Sequence, residues 1–144
     1  MMPFCPWMGA FFILAALAPK LGAEPMIRVQ NSSQPVSGSL SVQEMVVASD
    51  IEKFKPIGVA TSFPATVGKL FCFTKITGAR DETLVRHLWF HGDRLISAVS
   101  LPVKRIHWRT YSSQTIQPGW TGSWRVDITA EDGTLLHTVS FSIE

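Results

Sequence analysis

The residues of this chain that could carry chemistry are mainly its histidines, arginines and aromatic residues. His87 and His91 have the His-x-x-x-His spacing, which on a helix places two imidazoles where both can bind one metal ion. In a strand each residue rises about 3.3 Å, so the two rings would start roughly 13 Å apart. A zinc site would need a further ligand from a neighbouring strand, such as His107 or an acidic residue. We therefore predict no metal ion and no cofactor.

Covalent catalysis has equally little support in the sequence. The chain has no G-x-S-x-G, Walker, H-E-x-x-H or C-x-x-C motif. Cys72 lies in an apolar run with no neighbouring cation, so we predict a buried, unreactive thiol. We predict that the protein is not an enzyme and assign no catalytic residue.

A basic and aromatic stripe is the clearest binding candidate. Strand alternation over 104–112 sends Ile106, Trp108 and Thr110 to one face. The opposite face receives Arg105, His107, Arg109 and Tyr111. The arginines could pair with carboxylate or phosphate groups, and the tyrosine ring could stack on an apolar face of a ligand. Alternatively, the long cations only cover the outer face of a strand.

Three further aromatic or imidazole side chains are binding candidates. Trp120 follows Pro118-Gly119, a turn signal, and is expected in a loop where its ring could contact a ligand. The segment 83–90 is apolar on both faces, so two orientations remain open. Either His87 and Trp89 lie outside, beside the stripe, or Trp89 is interior and His87 needs a buried partner. The pattern slightly favours the interior Trp89, as in strand C of an immunoglobulin-like sandwich.

The elements that must position these residues are predicted to be strands. Short apolar segments alternate with turn residues at intervals of about eight to twelve positions, which is typical of a sandwich or barrel. The predicted strands are 45–54, 69–76, 83–91, 94–103, 105–112, 122–130 and 134–143. An irregular connection passes Pro56, Gly58 and Pro64, where no long strand is expected.

The last two strands show the clearest alternation. Trp124, Val126 and Ile128 share one face, which we assign to the core. In the partner strand the predicted core residues are Leu135, Val139, Phe141 and Ile143. His137 is either a hydrogen-bonded interior histidine or lies at the exposed end of the strand. The sequence therefore predicts an all-β, immunoglobulin-like antiparallel β-sandwich of about seven strands at 42–144.

The segment before this domain predicts export. Residues 1–19 carry no charged side chain and contain the apolar run 7–18, which is typical of a secretory signal peptide. We predict a signal peptide at 1–23 and a flexible linker rich in Ser, Pro and Gly at 24–41. The alternative is an uncleaved segment that anchors the domain to the inner membrane, which would be its one contact with a membrane.

Composition excludes several classes of protein. With 46% hydrophobic and 17% charged residues among 144, the chain is neither a disordered nor a polytopic membrane protein. The formal net charge of +2 is too small for the clustered basic surface that nucleic-acid binding requires. We predict one exported domain and no nucleic-acid partner.

An ordered set of motifs carries a family resemblance. The motifs are His87-Leu88-Trp89, Leu101-Pro102-Val103, Trp108-Arg109-Thr110-Tyr111-Ser112, Gly122-Ser123-Trp124-Arg125-Val126 and Phe141-Ser142-Ile143. In this order they resemble bacterial domain-of-unknown-function family 2914, over roughly residues 43–144. The resemblance implies a bacterial, periplasmic or secreted domain, often preceded by an export or membrane segment. It supplies no reaction, cofactor or site residue.

The function expected from the sequence is accordingly broad. We expect a non-enzymatic binding or protein-interaction module of the bacterial envelope, with an unknown envelope protein or glycan as partner. One alternative is a carbohydrate-binding module that recognises envelope glycan through Trp120, Tyr111 and the arginines. Another is a small enzyme with a site between loops, which should show a concave pocket with a perturbed histidine.

Overall fold

The structure is a computed structural model and describes residues 39–144, which form nine strands and no helix. The strands are β1 (Ser41–Glu52), β2 (Lys55–Val59), β3 (Ser62–Phe63), β4 (Lys69–Thr77), β5 (Thr83–His91), β6 (Arg94–Val103), β7 (His107–Thr115), β8 (Gly122–Ala130) and β9 (Leu135–Ile143). This part of the chain offers no helix of the length and hydropathy needed to cross a bilayer. The predicted signal peptide, and the predicted linker up to residue 38, lie outside the described residues.

The strands form two sheets. Sheet 1 has the order β2-β1-β4-β7, and sheet 2 has the order β3-β9-β8-β5-β6. All pairings are antiparallel except that of β3 with β9. Within sheet 2, β5, β8 and β9 lie side by side as strands C, F and G do in an immunoglobulin-like sandwich. The predicted all-β sandwich is confirmed.

The connection through Pro56 and Pro64 departs from the prediction. It contains β2 and β3, which raise the number of strands from about seven to nine. β2 lies at the edge of sheet 1 and β3 at the edge of sheet 2. An edge strand tolerates proline because one side of its backbone needs no partner. Short edge strands are therefore compatible with a sequence that excludes a long central one.

The core lies between the two sheets and contains the predicted face of β8. Trp124, Val126 and Ile128 are all buried. The interior position predicted for Leu135 is wrong, since this side chain is 56% exposed. The register shifts between Ile128 and Thr129, and Leu136 instead packs against the core.

The structure also places His137 and Ile106, for which the sequence left alternatives open or predicted the interior. His137 is exposed, which was one of its two predicted alternatives. Ile106, predicted to face inward, is 56% exposed because β7 begins only at His107. The carbonyl of Ile106 accepts a hydrogen bond from the Gly78 N–H at 3.0 Å, which places Ile106 in the turn before the strand.

Candidate functional site

β5 directs His87 and Trp89 into the interior, where neither side chain has any exposed surface. His87 Nε2 lies 2.9 Å from Thr74 Oγ1 on β4, and His87 Nδ1 lies 2.6 Å from Ser112 Oγ on β7. The interior orientation of Trp89 is therefore confirmed, and His87 has the buried partners it requires. Neither residue can serve as a surface contact, because no ligand in solvent can reach it.

The hydrogen bonds of this cluster fit a neutral imidazole. The Trp89 indole N–H donates to Ser112 Oγ at 3.0 Å, and an indole nitrogen can only donate. The Ser112 hydroxyl can donate its proton to His87 Nδ1, and in that tautomer the Nε2–H of the ring donates to Thr74. Burial lowers the pKa of His87 to about 4, so the imidazole is neutral at pH 7.

Cys72 is buried beside this cluster, as predicted. Burial raises the pKa of the thiol to about 12, and a hydrogen bond with Thr74 offsets only part of that rise. The residue therefore remains a protonated thiol at neutral pH.

His91 and His87 have unrelated partners. The His91 imidazole donates from Nε2 to the Thr121 carbonyl at 2.7 Å and stacks on Trp124, with ring centroids 4.6 Å apart. Within residues 39–144, no three His, Cys, Asp or Glu side chains converge where they could hold a metal ion.

Trp120 lies in the predicted loop between β7 and β8, but its ring is not a free platform. It is half-buried, with its centroid 5.9 Å from that of Trp124 and 6.2 Å from that of His91. Its carbonyl accepts a hydrogen bond from the Trp124 indole N–H at 3.0 Å. The expectation of an exposed ring is therefore corrected, since the ring packs against its neighbours.

The predicted basic residues meet at one concavity. Arg105, His107 and Arg109 are exposed and line a groove of about 730 Å³. Lys75 and Thr77 of β4 line the same groove, together with Phe54 and Trp108. We call this concavity the β4–β7 groove.

The β4–β7 groove carries an excess of positive charge. Lys75 and Arg109 are directly opposite each other in the pairing of β4 with β7. Glu44 forms an ion pair with Lys75 at 3.3 Å. The other ion pair of the described chain joins Arg125 to Asp127, which leaves Arg109 with no carboxylate partner among these residues.

Tyr111 continues the same face of β7, two residues beyond Arg109. Its ring is 37% exposed and lies edge-on to two phenylalanine rings. The centroid distances are 5.7 Å to Phe54 and 6.1 Å to Phe71. Tyr111 thus belongs to an aromatic row beside the groove, and Phe54 is the member of that row that lines the groove itself.

Phe54 and Lys75 are among the groove residues that the sequence analysis missed. Phe54 occupies the second position of a two-residue hairpin turn, since Glu52 pairs with Lys55. Such turns are recognised by Asn-Gly or Asp-Gly, and Lys53-Phe54 carries neither signal. Lys75 had a weak signal, namely a cation within the apolar strand 69–76.

An exposed apolar edge accompanies the groove on sheet 1. Ile57 and Val59 of the edge strand β2 are both exposed. This is the feature expected of a protein-interaction module, and it identifies no partner.

Comparison with known proteins finds a family match in the second part of the domain. Residues 82–143 match the family model described as "Protein of unknown function (DUF2914)", and no curated protein matches the chain. The match runs from just before β5 to the end of β9, so it includes the stripe on β7 but not Phe54 or Lys75. It is shorter than the extent of 43–144 expected from the motifs. The family resemblance expected from the motifs is thus confirmed over residues 82–143, which match the DUF2914 model.

Proposed function

We propose that this protein is a non-enzymatic binding module of the bacterial envelope, and that it takes an anionic partner in the β4–β7 groove. The observation that carries the proposal is the cross-strand pair of cations, Lys75 and Arg109, beside Arg105. Glu44 already pairs with Lys75, so the groove cations left without a carboxylate partner in the described chain are the guanidinium groups of Arg105 and Arg109. A bound anion would pair with these groups through charge-assisted hydrogen bonds.

The side chains of the groove suit recognition of a carboxylate or phosphate. A guanidinium group presents its donors in a planar fork, which matches the two oxygens of such a group. Arg105 and Arg109 are exposed, so they can reach a ligand without rearrangement of the core.

The enzyme alternative expects a concave pocket that contains a histidine with a shifted pKa. The histidine whose pKa is lowered is His87, which lies in the interior and does not line the groove. His107, which does line it, is exposed. The arrangement of cations around an aromatic wall supports binding as the function.

The envelope location rests on the sequence. The apolar run 7–18 and the absence of charge over 1–19 support export. Mass spectrometry of the protein from the envelope fraction should find a chain that begins after Ala23. An intact N-terminus would favour the anchored alternative, and absence from that fraction would contradict the location.

Calorimetric titration of the full chain tests the anionic partner. We expect a short oligogalacturonate, an oligoglutamate or both to bind, and added salt to weaken that binding. Arg109→Ala should weaken it roughly tenfold or more, because hydrogen bonds to charged groups are strong. Its free energy of unfolding should stay within about 1 kcal/mol of wild type, as for a surface contact.

Arg94→Ala is the matched control, since Arg94 is an exposed arginine on sheet 2. It should leave the affinity unchanged. The proposal fails if neither anion binds, or if Arg94→Ala weakens binding as much as Arg109→Ala does.

A further inference from the structure

We propose that the ligand of the β4–β7 groove is an acidic polysaccharide, whose sugar rings lie against Phe54 and Tyr111 while its acid groups meet Arg105 and Arg109. This inference rests on the proposed function and names the chemical class of the ligand. It follows from how the chain presents Phe54, from the order of aromatic and cationic groups on sheet 1, and from the position of the groove on the sheet.

Phe54 lies in an unfavourable turn. Lys53 and Phe54 have φ angles of 49° and 57°, in the left-handed region that L-residues rarely adopt. Both angles are positive in the tight turn that joins β1 to β2. The turn presents the Phe54 ring at the wall of the groove with 53% of the residue exposed. The edge-on contact with Tyr111 restricts the ring before binding, which lowers the conformational entropy lost when a ligand packs on it.

The aromatic row and the cations form adjoining strips. The rings of Phe54, Tyr111 and Phe71 contact one another in sequence, and the cations begin two residues from Tyr111, at Arg109. A sugar ring has an apolar face of C–H groups that packs on aromatic rings, and an acidic sugar carries its charge at the rim of that ring. A chain of such sugars can therefore contact the aromatic row and the cations at the same time.

The lining of the groove favours this ligand over an acidic peptide. Extended peptides commonly dock by adding a strand to a sheet edge, where backbone hydrogen bonds supply the affinity. β7 is an edge strand of sheet 1, but the β4–β7 groove is lined by side chains on the face of β4 and β7 and by the β1–β2 turn. Its volume of about 730 Å³ falls within the range of sites for small ligands or short segments of a polymer. Thr77, which also lines it, offers a hydroxyl to the sugar hydroxyls.

Three probes of matched length separate the possibilities when titrated into the full chain. An oligogalacturonate carries carboxylates on sugar rings, an oligoglutamate carries carboxylates without rings, and a neutral galacto-oligosaccharide carries rings without charge. We expect the oligogalacturonate to bind at least about tenfold more tightly than either of the other two. If oligoglutamate binds as tightly as oligogalacturonate, the ligand is not specifically a polysaccharide. The proposed anion site would still be supported. If neither anion binds, the proposed function itself fails.

Two aromatic variants locate the sugar contact. Phe54→Ala and Tyr111→Ala should each weaken oligogalacturonate binding roughly tenfold, while leaving any residual binding of oligoglutamate unchanged. Tyr111→Phe should retain the affinity, because the ring remains. Leu135→Ala removes an exposed apolar side chain from sheet 2 and serves as the control. Wild-type affinity in both alanine variants, with folding verified by circular dichroism, would contradict the inference.

Discussion

At the residue scale, the hydroxyl of Ser112 has two buried hydrogen-bond partners on the opposite sheet. It accepts the indole N–H of Trp89 and lies 2.6 Å from Nδ1 of His87. Both of those side chains belong to β5 of sheet 2, whereas Ser112 belongs to β7 of sheet 1. One small polar side chain therefore satisfies two large buried ones across the sandwich. A buried polar group that loses its partner costs about 1–3 kcal/mol.

Ser112→Ala should lower the free energy of unfolding by about 2 kcal/mol or more, because it leaves the Trp89 N–H and His87 Nδ1 without their partner. Urea denaturation followed by tryptophan fluorescence measures the change. Ser113→Ala, at the next position of β7 and exposed, should shift the same quantity by less than about 0.5 kcal/mol. If both variants lose the same free energy of unfolding, the interior hydrogen bonds of Ser112 do not stabilise the fold.

At the element scale, the β1–β2 hairpin combines poor turn residues with an exposed aromatic ring. Glu52 pairs with Lys55, which leaves Lys53 and Phe54 as the turn. Each non-glycine residue in the left-handed region costs about 1–2 kcal/mol. The contact of the Phe54 ring with Tyr111 offsets part of that cost. We interpret the turn as one whose local strain accompanies a contact role for Phe54.

Lys53→Gly should raise the free energy of unfolding by about 1 kcal/mol, since glycine adopts the positive φ without a steric penalty. Lys55→Gly, at the first position of β2, should lower it, because glycine loses more backbone entropy than lysine does when it is ordered in a strand. Thermal melts of the two variants against wild type measure both changes. A destabilised Lys53→Gly protein would contradict the interpretation of the turn as strained.

At the scale of the whole molecule, a neutral histidine joins the two sheets. His87 on sheet 2 lies between Thr74 and Ser112 on sheet 1. Its folded pKa of about 4 lies below the ordinary value of 6.5, because burial disfavours the charged ring. Between these two values the unfolded chain binds a proton that the folded protein does not. The free energy of unfolding therefore falls as the pH falls from 6.5 towards 4.

The expected loss over that interval is about 3 kcal/mol. Urea denaturation at a series of pH values between 7 and 4 measures it. His87→Gln cannot take up the proton, so its stability should vary less steeply between pH 6.5 and 5, whatever its stability at pH 7. Identical pH profiles for the variant and wild type would mean that another group accounts for the acid sensitivity.

The sequence predicted most strands, and three of the side chains that line the groove, by local rules. Alternation with a period of two, interrupted by turn residues, yields the bounds of β5, β6 and β8 without any tertiary information. The same alternation placed Arg105, His107, Arg109 and Tyr111 together outside the core, and all four are exposed. Their role as a binding surface stays a prediction.

The rest depended on contacts between residues distant in sequence. His87 and Trp89 could face either way, because both faces of β5 are apolar, and only the stacking of sheet 1 made their face the interior. The shifted register of β8 with β9 decided that Leu136 rather than Leu135 packs inward.

The groove itself exists only in the tertiary structure. Antiparallel pairing of β4 with β7 sets Lys75 opposite Arg109, and the β1–β2 turn brings Phe54 against Tyr111. Local patterns determine which face of a strand is polar, because they follow from the geometry of one strand. Which polar faces meet depends on strand register and sheet packing, and those are set by the burial of the whole core.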